Sequence, residues 1–168
     1  MPTHAEKRFL PYTPEQLFTL VASVDRYPEF LPWCLAARIR SRETISTEPP
    51  QSLLVADLVI GFRMIRERFT SRVKLSPPHR IDVTYAEGPF RYLNNHWIFE
   101  PVPPSPEHPG GGTMIDFYVD FEFHSRLLQS LMAALFNEAV RRMVAAFEGR
   151  AKQLYGQPAS MPNAARPV

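Results

Sequence analysis

Three features of the chain predict an α+β fold in which a strongly curved antiparallel sheet wraps around one long C-terminal helix. Between Arg38 and Phe123, apolar and polar residues alternate in segments broken by proline and glycine, as half-buried strands require. From Ser125 to Tyr155 there is no proline, and apolar residues recur with the helical period for about eight turns. Near the N-terminus, Thr13 followed by Pro14 reads as a helix cap with proline at the first helical position.

Taken in order, His4 to Phe9 form a short extended segment. A helix follows from Thr13, with Leu17, Leu20, Val21 and Val24 on its apolar face, and ends near Asp25. The stretch Tyr27-Pro28-Glu29-Phe30-Leu31-Pro32-Trp33-Cys34 sets its aromatics among two prolines, so it can make only a short kinked helix or turn. Breaks at Pro49-Pro50, Gly61, Pro77-Pro78, Gly88-Pro89 and from Pro101 to Gly112 then divide the strands. The clearest strand places Ile115, Phe117, Val119, Phe121 and Phe123 on one face and Asp116, Tyr118, Asp120 and Glu122 on the other. Ile65, Phe69, Val73 and Leu75 alternate likewise, as do Ile81, Val83 and Tyr85, and Leu93, Asn95, Trp97 and Phe99. The long helix carries Leu128, Leu131, Met132, Leu135, Phe136, Val140, Met143, Val144, Phe147 and Leu154 on its apolar stripe. Residues 1–156 are expected to form one domain and 157–168 a disordered tail, since Pro158, Pro162, Asn163 and Pro167 fall in a segment without periodicity.

Composition narrows the function classes. Hydrophobic residues make up 45% of the 168 residues and charged residues 21%, which suits a globular domain. The net charge of +2 is too small to imply nucleic-acid binding by itself. Cys34 is the only cysteine and cannot form an internal disulfide, and MPTHAEKRFL lacks the apolar core of a secretory signal, so a reducing compartment is expected. His4, His79, His96, His108 and His124 have no metal-ligand spacing, so no metal or catalytic residue is expected. Cys34 has no neighbouring His or Lys to activate it. Gly110-Gly111-Gly112 precedes a strand, not a helix, and reads as a flexible loop.

Such an arrangement is a helix-grip fold, and a curved sheet facing one helix leaves volume between them. Phe69, Val73, Val83, Tyr85, Phe90, Asn95, Trp97, Phe117 and Val119 of the strands, with Leu128, Leu131, Met132, Leu135 and Phe136 of the helix, would line it. Phe30, Leu31 and Trp33 would close one end as a gate or as a fixed plug. The same stripes also suit a filled core.

The segments Tyr27 to Cys34, Glu67-Arg68-Phe69-Thr70-Ser71-Arg72-Val73, and Gly88-Pro89-Phe90 with Leu93, Asn95, Trp97 and Phe99 resemble the START-like coenzyme Q-binding family. That family includes the mitochondrial coenzyme Q chaperone and the bacterial RatA toxins, within a polyketide cyclase-like superfamily. The resemblance runs from about His4 to Tyr155 and departs at Pro101 to Gly112 and after Gly156. It implies a START-like fold without a catalytic cofactor, holding ubiquinone or a related polyprenyl lipid in support of respiratory electron transport or quinone biosynthesis. It also implies the alternative of interference with ribosomal subunit association, and more distantly a cyclase-like enzyme.

Two groups of polar residues bear on these readings. Glu67 and Ser71 share the parity of Ile65 and Phe69, and Asn95 that of Leu93 and Trp97, so they are candidates for contact with a ligand head group. A bulge turning Glu67 outward and a structural role for the Asn95 amide are the alternatives. Arg66, Arg68, Arg72 and Lys74 take the opposite parity, and Arg38, Arg40 and Arg42 alternate on an earlier strand. If the two strands are neighbours, seven cations share one outer face. That face would meet anionic lipid or ribosomal RNA, or stand solvated and partly neutralised by Asp116, Asp120 and Glu122. A bacterial protein of the cytoplasm, peripheral to the inner membrane, is the expected setting.

Overall fold

The computed structural model describes residues 3–62 and 65–156. The expected tail, 157–168, lies outside the described residues. Strands β1 (Thr3–Leu10), β2 (Cys34–Thr47), β3 (Pro50–Phe62), β4 (Ile65–Ser76), β5 (Arg80–Glu87), β6 (Phe90–Val102) and β7 (Gly112–Phe123) form one antiparallel sheet in the order β1-β7-β6-β5-β4-β3-β2. Strands β2 to β7 are joined as successive hairpins, so each pairs with its sequence neighbour. β1 adds at the β7 edge, which leaves α1 (Pro14–Ala22) and a 3-10 helix (Val24–Glu29) to carry the chain across to the opposite edge. Helix α2 (Arg126–Tyr155) lies against the inner, concave face.

Local chemistry sets the helix ends. Thr13 Oγ1 accepts from Gln16 N at 3.1 Å while Thr13 N donates to Gln16 Oε1 at 3.0 Å, a reciprocal cap that stabilises such helices by about 1 kcal/mol. The α-helical path stops earlier than the expected Asp25. Ser23 Oγ donates to Thr19 O at 2.7 Å and satisfies one terminal carbonyl, and the chain tightens into the 3-10 turn. At the other helix, Ser125 Oγ accepts from Leu128 N at 3.2 Å. Met132, Phe136, Val140, Met143, Phe147 and Ala151 then follow at steps of three and four, turning one stripe to the sheet. Leu154 departs from this stripe and is 48% exposed, because Tyr155 takes the inward place and donates to Gln16 O at 2.8 Å.

Two apolar clusters occupy the inner face. One gathers Leu17, Leu20, Val21, Trp97 and Phe99 under α1, and the other gathers Phe90, Phe121, Phe123 and Met132 near the start of α2. The insertion between β6 and β7 is fastened to β1 by His108, whose ring stacks on Phe9 at 3.7 Å. It therefore folds back on the edge strand and does not reach the space between the clusters.

Candidate functional site: an apolar cavity and a charged outer face

A cavity of about 220 Å³ lies between the two clusters, walled by the inner face of the sheet and by α2. Of the residues expected to line it, Leu31, Trp33, Phe69, Ser71, Val73, Val83, Phe90, Asn95, Trp97, Phe117, Val119, Met132 and Phe136 do so. Val21 and Val24, Leu58, Ile60 and Phe62 of β3, and Ala139, Val140, Met143 and Phe147 of α2 complete much of the wall; the sequence sets Val21, Val24, Val140, Met143 and Phe147 on apolar helix faces without assigning them to the cavity, and does not single out the others.

Six of the expected residues lie elsewhere, for identifiable reasons. The inward stripe of α2 passes through Met132, Phe136 and Val140, so Leu131 and Leu135 sit beside it, half-buried against the Phe90 cluster. Leu128 is in phase with Met132 but one turn closer to the helix start, and packs on that same cluster. Tyr85 stands edge-on to Phe90 at 5.5 Å, behind the ring that forms the wall. Phe30 is held between Tyr27 and Phe147, at 5.8 and 5.2 Å, with the Arg150 guanidinium 5.1 Å from its centre. Glu67 keeps inward parity, opposite Ile60, but its pairing with β5 has ended, because β4–β5 pairing begins only at Thr70. Its carboxylate is half-buried at that open edge and does not line the cavity.

The polar groups of the wall are mostly spoken for. Asn95 Nδ2 donates to Tyr118 O at 2.8 Å and Asn95 Oδ1 accepts from Trp97 Nε1 at 3.1 Å, so this amide ties β6 to β7 and satisfies the indole. Tyr27 OH donates to Val21 O at 2.5 Å, and burial drives its phenol far above the ordinary tyrosine range. Ser71 is 1% exposed and contributes to the wall. Trp33 Nε1 is buried with no partner among the described residues. Cys34 lies next to this wall. Burial pushes its thiol up to about 11, only partly offset by hydrogen bonding with the Ala36 backbone, so it stays protonated at neutral pH. Apolar cavities of this kind stay dry and take up apolar ligands.

The outer face differs from the expected arrangement. β2 and β4 are not neighbours; they flank β3. Arg38 lies opposite Asp57, and Arg66, Arg68, Arg72 and Lys74 lie opposite Gly61, Val59, Val55 and Leu53, so these share the outer face. A bulge between Ile39 and Ser41 gives β2 one extra residue, and Arg42 falls opposite the fully buried Leu54, on the other parity. Asp116, Asp120 and Glu122 are on β7, three strands from β4, and cannot neutralise this patch. Asp57 does so instead. Arg40, the bulged residue, reaches it at 2.9 Å, Arg38 at 3.1 Å and Arg68 at 4.0 Å, and Thr70 Oγ1 donates to it at 2.5 Å.

Burial raises the Asp57 carboxyl, but the Thr70 hydrogen bond and the arginines outweigh it and hold it below its ordinary value. A depressed carboxyl stabilises the fold above the unfolded value, near pH 4, and that contribution disappears as pH falls through the folded value. Asp57→Asn is therefore expected to lower stability at pH 7 by about 1–3 kcal/mol, discounted for the exposure of its arginines. Chemical denaturation at pH 7 and pH 3 checks this: the deficit of the variant should shrink at the lower pH.

Comparison with known proteins agrees with this architecture. Residues 10–148 match the family described as polyketide cyclase / dehydrase and lipid transport. The ribosome association toxin RatA of Pseudomonas aeruginosa is 36% identical over 157 residues, covering 93% of this chain and all of that protein. The mitochondrial coenzyme Q-binding protein COQ10 homolog B of Xenopus laevis is 33% identical over 155 residues, covering 92% of this chain and 59% of that protein. The solution structure of an 18 kDa protein from Caulobacter crescentus is 37% identical, with a TM-score of 0.72, covering 94% of this chain and 100% of that one. On sequence and fold together, the chain belongs to the polyketide cyclase / dehydrase and lipid-transport family, alongside the RatA and COQ10 proteins.

Proposed function

We propose that the protein binds ubiquinone or a closely related polyprenyl lipid, and that it does so as a carrier and not as an enzyme. The observation that carries this reading is the cavity: a continuous aromatic and aliphatic wall in which the Asn95 and Tyr27 side chains are already hydrogen-bonded. Burying apolar surface yields about 25 cal/mol for each Å² removed from water, so a prenyl chain gains steadily along such a wall. Chemistry has little to work with there. Among the described residues the lining contains no Asp, Glu, His or Lys, and general acid–base catalysis needs a titrating group within hydrogen-bond reach of the substrate. The coenzyme Q-binding relative supports the quinone.

A second reading has its own support. RatA relatives are named for ribosome association, and Arg66, Arg72 and Lys74 have no ion-pair partner among the described residues. Yet Leu53, Val55 and Val59 of β3 run half-buried between the two basic rows, and an apolar stripe flanked by cations suits the surface of an anionic bilayer better than an RNA backbone. We therefore place the protein at such a membrane surface, supporting quinone supply to electron transport. The lipids that leave a native host bound to the purified protein, identified by mass spectrometry, test the quinone assignment.

A further inference from the structure

We propose that the groove between β1 and α2 holds the polar head of the cavity's ligand, and that this head is uncharged and accepts hydrogen bonds. The inference rests on the reading that the cavity holds a chain-like lipid. It begins with an anomaly in β1. His4, Glu6 and Arg8 lie opposite Val119, Phe117 and Ile115, all on the inner face of β7. Polar side chains thus stand at inward positions, where the adjoining strand is apolar. They face Asn137, Arg141 and Glu148 of α2 across a groove of about 630 Å³.

This groove adjoins the cavity. Val140 lines both. A narrow space of about 40 Å³ lies beside both, with Glu6, Arg8 and Glu148 among its polar lining and Trp97, Phe117 and Phe147 among its apolar lining. Those three aromatics are part of the cavity wall. On this proposal a ligand sets its apolar chain in the cavity and its polar end in the groove, passing the residues that the two spaces share.

The cavity itself treats a polar head poorly. With Asn95 and Tyr27 engaged, Trp33 Nε1 is the buried lining donor without a partner among the described residues, and one donor does not replace the water lost by a head with several oxygens. The groove offers more. Arg8 is paired with Glu6 at 2.8 Å and with Glu148, and His4 Nε2 meets Glu6 Oε1 at 2.9 Å, so both carboxylates are engaged in ion pairs. The side chains of Asn137 and Arg141 have no partner among the described residues, and both are exposed. Arg141 offers donors alone and the Asn137 amide adds two more beside its one acceptor oxygen, so what remains free is chiefly donor capacity, which calls for an acceptor. Two arginines balance two glutamates, so no net field favours an anion. Carbonyl and ether oxygens on a neutral ring satisfy both conditions, and a phosphate does not.

The test is isothermal titration calorimetry of the full chain and of the double variant Asn137→Ala, Arg141→Ala. Both positions are exposed and alanine suits a helix interior, so the fold should hold. The probes are a short-chain alkylated benzoquinone, the matching alkylbenzene, and the matching alkyl phosphate. The expected result is that the variant binds the quinone about tenfold more weakly while its affinity for the alkylbenzene is unchanged. The unmodified protein should also prefer the quinone to the phosphate. Equal loss for quinone and alkylbenzene, or no loss for either, would overturn the head site. Tighter binding of the phosphate would overturn the uncharged head. If the unmodified protein bound neither the alkylbenzene nor the quinone, the cavity reading would fall, and the head site with it.

Discussion

Ala139→Phe is expected to eliminate measurable quinone binding while leaving the protein at least as stable as before. Ala139 faces the cavity from α2, between Phe136 and Met143, so the larger side chain grows into the void and not into packed core. Filling a cavity with apolar atoms commonly adds about 0.5–2 kcal/mol of stability, whereas overfilling a packed core costs about 1–3 kcal/mol. Loss of binding together with a raised or unchanged thermal midpoint therefore separates occlusion of the site from damage to the fold. Val140→Glu gives an independent check, since it sets an unpaired carboxylate in the same wall. Leu131→Glu is the control: that side chain packs beside the stripe and should affect stability more than binding. Calorimetric titration with a short-chain quinone reads all three. If Ala139→Phe bound quinone with normal affinity, the volume between sheet and helix would not be the ligand site.

Reversing Arg66, Arg72 and Lys74 to Glu should remove binding to liposomes rich in acidic lipid, with the fold intact. These cations lie outside the Asp57 cluster, so their replacement leaves Arg38, Arg40 and Arg68 with their carboxylate. Each near-surface cation contributes about 1 kcal/mol against an anionic leaflet, so removal of three lowers affinity on the order of a hundredfold before repulsion is added. Liposome flotation measures this, and binding of the unmodified protein should weaken with added salt. A variant that floats normally but no longer cosediments with ribosomal subunits would instead favour the RNA reading.

Much of the architecture was legible in the sequence because one periodicity dominated each element. The alternation from Ile115 to Phe123 leaves no doubt which side of β7 faces inward, and the structure buries Ile115, Phe117, Phe121 and Phe123. β3 was opaque for the opposite reason. Leu53, Leu54, Val55, Ala56, Leu58, Val59 and Ile60 put apolar residues on both parities, so sequence alone does not say that Leu58 and Ile60 line the cavity. The phase of α2 was blurred in the same way: Leu131 and Leu135 look as inward as Met132 and Phe136 until the sheet selects one stripe. The outer face failed on topology. Parity placed Arg68 and Arg72 correctly, but pattern alone cannot report that β3 intervenes, that a bulge at Arg40 turns Arg42 over, or that Asp57 gathers the arginines.

Everything proposed for this protein depends on the cavity holding a polyprenyl quinone. That is tested most directly by purifying the protein from its native host under mild conditions and analysing the organic extract by mass spectrometry, with Ala139→Phe purified in parallel. Ubiquinone or a close relative is expected in substantial molar ratio with the unmodified protein, and little or none with the variant. Equal quinone in both extracts, or an unmodified protein that carries no quinone when the host membranes contain it, would contradict the claim.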